Sequence, residues 1–170
     1  MRNFGAGAVM APAPSLVRTD MDEKVLAYAA GLFDGEGSVI IAKSKNTYWL
    51  QSRVTNTDLR LLDFMKKHFG GFVCRQGKAG PNSGPRRTRE CWYWAITSNN
   101  ASAFLVMILP YLLAKGEQAE IAIEFQKRLS GTHGAHHIPA EELKVRESYK
   151  QRISCLNKTG KEEVLQTIFE

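Results

Sequence analysis

Cysteine is scarce in this chain, and what there is does not form a pattern. The three residues, Cys74, Cys91 and Cys155, are odd in number and lack metal-ligand spacing. A disulfide framework and a cysteine zinc site are therefore not expected, and the set fits a reducing intracellular compartment, a cytoplasm or an organelle. Long apolar runs are missing too. No stretch approaches the roughly 20 residues of a membrane-spanning helix, so no membrane partner is expected. Acids are absent up to Thr19, where Arg2 and Arg18 stand among alanine, proline and glycine. Residues 1–20 are expected to be a disordered leader outside the fold, a weak transit-like segment being the other reading. Acids are also thin between Ser38 and Ser98, where only Asp58, Asp63 and Glu90 oppose eleven lysines and arginines.

What is present fits one compact domain. With 170 residues, 44% of them hydrophobic, the chain can bury a real core. The net charge of +6 and pI near 9.3 come from the 38–98 block, because the remainder is slightly acidic. A basic block inside a folded region is the electrostatic footprint of a phosphate backbone, although a solvated basic face has the same composition.

The pattern predicts a helix capped by Asp22 and running to about Phe33, with Ala27, Ala30, Gly31 and Asp34 on one face nearly bare of side chains. Such a face lets two helix backbones approach closely. Residues 38–45 and 48–57 read as strands around a turn at Asn46-Thr47. In the second strand Trp49, Gln51, Arg53 and Thr55 share one face, and Leu50, Ser52 and Val54 share the other. Asp58 to Phe69 reads as a helix closed by Gly70-Gly71. Strands are expected at about 72–77 and 90–97, joined by a loop carrying Lys78, Arg86, Arg87 and Arg89. One face of Cys91-Trp92-Tyr93-Trp94 should be core. Asn99-Asn100 should cap a third helix that Pro110 ends or kinks. A fourth helix should cover about Glu117 to Arg128, and a last one should begin near Pro139. His133, His136 and His137 lie in the glycine-rich loop between these two; lacking a fourth ligand, they read as loop and not as a zinc site.

Residues 29–39 read Ala-Ala-Gly-Leu-Phe-Asp-Gly-Glu-Gly-Ser-Val. Two acids between glycines end a helix there, where the partial negative charge of a helix C-terminus disfavours them. A local rule broken without structural gain marks a functional position, and carboxylates so placed suit a cation. The stretch Ala29 to Gly37 resembles the signature of the LAGLIDADG homing endonucleases, departing from its apolar bulk at Ala29. The resemblance covers roughly residues 24–128, and Arg146 to Gly160 is similar to the C-terminal extension of some members.

The resemblance implies an α+β fold of order α-β-β-α-β-β-α, with an antiparallel DNA-binding sheet, a core over 21–130, and a loop and helical extension over 131–170. It implies a sequence-specific double-stranded DNA endonuclease. Glu36 and the Gly35 carbonyl would bind Mg²⁺ (with Mn²⁺ or Ca²⁺ able to substitute for binding), Lys115 would stand near the scissile phosphate, and Asn56 would order water. Since the signature occurs once, a homodimer is implied, packed through Ala27, Ala30, Gly31 and Asp34 and cutting a near-palindromic site of the kind found at introns. Candidate DNA contacts are Ser44, Asn46, Trp49, Gln51, Arg53, Arg75, Gln76, Lys78, Arg86, Arg87 and Arg89, with Ser44 and Asn46 preferred over Lys43 and Lys45. An intron RNA maturase and a catalytically inactive DNA-binding regulator are the alternatives that the same resemblance leaves open.

Overall fold

The computed structural model describes residues 21–76, 90–130 and 138–159. Helix α1 (Glu23–Glu36) begins where Asp22 accepts the amide of Lys24 at 2.9 Å. It runs three residues past the expected end, so both acids of the signature belong to its last turn. Ala29, Ala30 and Phe33 are its buried face, and Phe33 meets Phe104 edge-on at 5.3 Å. Gly37 then turns the chain into the sheet. A Cβ there would stand 2.4 Å from the Phe33 carbonyl oxygen, so this last residue of the signature is glycine because of close approach.

Strands β1 (Gly37–Ser44), β2 (Thr47–Asn56), β3 (Phe72–Arg75) and β4 (Trp92–Thr97) form one antiparallel sheet in the order β1-β2-β4-β3. The β1–β2 turn is Lys45-Asn46, one residue earlier than expected, with Lys45 in the left-handed region at φ 51°. The register pairs Val39 with Ser52 and Val54 with Trp94, so Val39, Leu50, Val54, Trp94 and Ile96 line one face. Helices cover that face and the core lies between.

Helix α2 (Leu59–Phe69) is capped by Asp58, whose carboxyl the Arg60 guanidinium holds down at about 2. It ends, as its sequence predicts, at Gly70 and Gly71, both with positive φ. Gly71 has a second reason to be glycine, because a Cβ would lie 2.4 Å from the Ala95 carbonyl oxygen. Trp94 fixes this corner by donating its indole N–H to the Gly70 carbonyl at 2.7 Å. Helix α3 (Ser98–Ile108) starts directly after β4, so Asn99 and Asn100 lie inside it and do not cap it. The Asn99 side-chain oxygen instead accepts from Gln126 and Ser130. Pro110 ends α3 in a short 3₁₀ turn, Leu109–Tyr111.

Helix α4 (Gly116–Ser130) and helix α5 (Ala140–Thr159) complete the described chain, and the three histidines lie outside the described residues. The C-terminal helix is part of the core. Tyr149 and Ile153 join the same buried cluster, and Glu147 accepts from Lys43, Tyr48 and Lys150. Those donors, Lys43 foremost, hold the Glu147 carboxyl at about 2. Asn157 donates to the Val39 carbonyl at 3.0 Å, so α5 also covers edge strand β1, which protects it from pairing with other chains.

Candidate active site and open sheet face

The end of α1 separates its two acids by function. Asp34 is engaged inside the chain. Its carboxylate accepts the Leu113 amide at 2.7 Å and the Lys115 amide at 3.0 Å, and its backbone carbonyl accepts the Lys115 ammonium. Hydrogen bonds to a charged group contribute about 1.5–3 kcal/mol each, which outweighs the roughly 0.3–1 kcal/mol that an acid loses at a helix C-terminus. The ammonium on the last free carbonyls offsets that loss further. Glu36 is exposed and, among the described residues, has no hydrogen-bond or ion-pair partner. Burial pushes the Lys115 ammonium below the usual lysine value, and the charges of Asp34 and Glu36 act against that shift. A free carboxylate and a half-buried cation thus stand at one helix end, drawn from positions 79 residues apart in sequence.

The donor set suits one kind of metal. Among the described residues no three His, Cys, Asp or Glu side chains gather as a metal site. The Glu36 carboxylate and the Gly35 carbonyl are hard oxygen donors on an exposed rim. Mg²⁺ takes one or two carboxylates and fills its remaining positions with water and substrate phosphates, so an open pair of this kind fits it. A closed four-ligand zinc site does not fit.

Among the described residues the second face of the sheet carries no helix. Ser44, Thr47, Trp49, Gln51, Arg53 and Thr55 lie on it, paired across to Tyr93, Ala95 and Thr97. The expected alternation of β2 is therefore the observed one, and Ser44 is on the open side while Lys43 reaches Glu147 on the helix side. Asn46 is exposed in the turn. Arg53 lies flat on the Tyr93 ring at 3.8 Å, and its Nε is buried with no hydrogen-bond partner among the described residues. The amide of Gln76 bonds the Cys91 carbonyl at 2.8 Å and continues the β3–β4 ladder. Lys78, Arg86, Arg87 and Arg89 lie outside the described residues.

Two expectations are corrected by position. Arg75 pairs with Trp92, in the column of the helix-covered side, and its guanidinium bonds Glu90, so it is not on the open face. Asn56 falls in that same column, and its side-chain oxygen accepts the Asp58 amide at 2.9 Å. That bond turns the chain into α2. The open-face residue level with the end of α1 is Thr55, since Gly37 pairs with Val54; the β2 alternation placed Thr55 there, and that signal could have identified it. Ala30 is the second correction. It is fully buried in its own chain, so it cannot meet another. The exposed small residues of α1 are Ala27, Gly31 and Gly35, four apart, and a Cβ on either glycine would meet nothing within 4 Å.

An antiparallel sheet with helices on one face, an open face bearing Arg53 and aromatic rings on the other, and a carboxylate and an ammonium at the end of α1 define an α+β domain. Solved structures specify the fold. The homing endonuclease I-CvuI, in complex with its target in the presence of calcium, matches over 77% of this chain and 80% of its own, at 18% identity and TM-score 0.59. The archaeal intron-encoded homing endonuclease I-Vdi141I, complexed with DNA, matches over 77% and 82%, at 16% identity and TM-score 0.58. The LAGLIDADG homing endonuclease I-SmaMI, bound to cleaved DNA, matches over 82% of this chain but 46% of its own, at 18% identity and TM-score 0.53. No family profile and no curated protein matches the chain. The protein has the LAGLIDADG homing endonuclease fold.

Proposed function

We propose that the protein is a site-specific endonuclease that hydrolyses phosphodiester bonds of double-stranded DNA, acting with Mg²⁺ as a homodimer on a near-palindromic site. One observation carries the reading: Glu36 is left without intramolecular duty beside the Lys115 ammonium, at the rim of a sheet face with no other occupant among the described residues. The matched proteins are homing endonucleases in DNA complexes, which supports the substrate class. A domain kept only to regulate transcription has no use for such a pair at that rim.

The open face supplies recognition. Trp49, Gln51, Arg53, Ser44 and Asn46 lie along it, and the basic loop residues add phosphate contacts that carry no sequence information. Lys115, held at the end of α1, stabilises negative charge that develops on the attacked phosphate. Glu36 and the Gly35 carbonyl would hold the cation, which when bound supplies an activated water and neutralises the leaving oxygen. Mn²⁺ or Ca²⁺ would substitute for binding. Small residues Ala27, Gly31 and Gly35 let two copies of α1 approach until each chain's Glu36 is near its partner's. The deciding experiment is Glu36→Gln. The variant is expected to bind target DNA nearly as the wild type does and to lose Mg²⁺-dependent cleavage, and cleavage at the wild-type rate would remove Glu36 from the site.

A further inference from the structure

The segment 112–115 that delivers Lys115 is packed against the core at Leu112 but not at its next two residues. Leu113 is 96% exposed and Ala114 is exposed as well, so neither side chain fixes the path of the backbone. What meets this segment is Asp34. Its two carboxylate oxygens take one amide each, from Leu113 and Lys115, on either side of Ala114. The Lys115 carbonyl in turn accepts the Ala119 amide at 3.0 Å and opens α4. A single carboxylate therefore ties the last turn of α1 to the start of α4, and the lysine between them has its ammonium on the Asp34 carbonyl.

We infer that Asp34 is a positioning residue, whose carboxylate fastens segment 112–115 to the end of α1 and so sets where the Lys115 ammonium stands relative to Glu36. The clamp stands on geometry alone; its consequence for cleavage rests on the endonuclease reading above. The two acids of the signature then divide the work, one outward toward a cation and the other inward toward the chain's own amides. Replacing the carboxylate by an amide turns one acceptor into a donor facing an N–H, so Asp34→Asn removes at least one of the two bonds without changing side-chain size.

The test uses the full chain as wild type, Asp34→Asn, Lys115→Met and the double variant. Amide hydrogen exchange without DNA or metal reads the clamp directly. Asp34→Asn is expected to speed exchange at Leu113 and Lys115 by roughly tenfold, about one hydrogen bond's worth, and unchanged exchange at both overturns the clamp whatever the protein cuts. Single-turnover cleavage in Mg²⁺ reads the positioning role, with DNA affinity measured in Ca²⁺ as the control. Asp34→Asn is expected to slow cleavage with affinity unchanged, and the double variant to be no slower than Lys115→Met. Independent, additive losses would overturn action through Lys115. If Asp34→Asn fails to fold, Leu113→Pro deletes the donor and leaves Asp34 intact; Leu112 already has the extended backbone that precedes proline (φ −77°, ψ 133°). It should reproduce the faster exchange at Lys115, and unchanged exchange there again overturns the clamp. A wild type that binds DNA but does not cut removes the endonuclease reading, and the exchange result then decides the clamp by itself.

Discussion

The two faces of the sheet are built from the same strands and obey different constraints. On the covered face Val39, Leu50, Val54 and Trp94 are fully buried, and each is held by close neighbours, as Trp94 is by Phe104 at 5.2 Å and by the Gly70 carbonyl. On the open face Trp49, Gln51, Arg53, Tyr93 and Thr97 are half-buried, and Arg53 rests on Tyr93 with polar atoms unspent. Ala95 is buried there too, between Arg53 and Phe72. Stability is concentrated on one face, and binding capacity is left over on the other. Helix α1 repeats the contrast within one turn, with Ala30 enclosed and Gly31 open.

The contrast breaks most visibly at Trp94. Trp94→Ala should cost about 3–5 kcal/mol, because a large buried ring and a hydrogen bond go together; denaturant unfolding measures it, and a loss under about 1 kcal/mol would mean this face is not the core. On α1, Ala30→Leu overpacks the interior and should cost about 1–3 kcal/mol in any oligomeric state. Gly31→Leu meets nothing in its own chain, so it should leave thermal stability of the single chain intact while abolishing the dimer and cleavage. Sedimentation separates the two, since the wild type should run near twice 19.0 kDa, and a wild-type monomer with full cleavage would sink the shared site. Arg53→Ala should change folding stability little but cost roughly 1–3 kcal/mol at one or two preferred base pairs. A uniform loss across sequences would move Arg53 to the backbone class. The smallest effect belongs to Ser52, a buried hydroxyl on the covered face with no partner among the described residues. Ser52→Ala should be neutral or stabilising by up to about 1 kcal/mol, since an unpaired buried polar group costs more than it returns. A clear destabilisation would reveal a partner for that hydroxyl.

Much of this was legible in the chain because its signals are local. Asp22 caps the helix it was expected to cap, Gly70-Gly71 ends α2, and period-two alternation sorts β2 onto its two faces. The misplacements share a cause. Arg75 sits at a strand end, where one step of register carries a side chain to the other face. Ala30 shares with Gly31 its small size and, by helical spacing, a face, and neither property says which flank the core will cover. Asn99 has the propensity of a cap, but its oxygen is taken by residues of α4, a contact that propensity cannot anticipate.

The sequence by itself determined the order of elements, the alternation of the sheet, the basic balance of its central block and the presence of two acids at a helix end. Each of these follows from spacing, capping or composition within a few turns of chain. Only the tertiary structure decided which acid is free, what holds Lys115, which small residues of α1 remain exposed, and that the C-terminal helix closes edge strand β1. Those facts depend on partners distant in sequence, 79 residues for Asp34 and Leu113 and 118 for Val39 and Asn157. Hydrogen bonds between such partners exist only once packing has brought them together, so no local pattern records them.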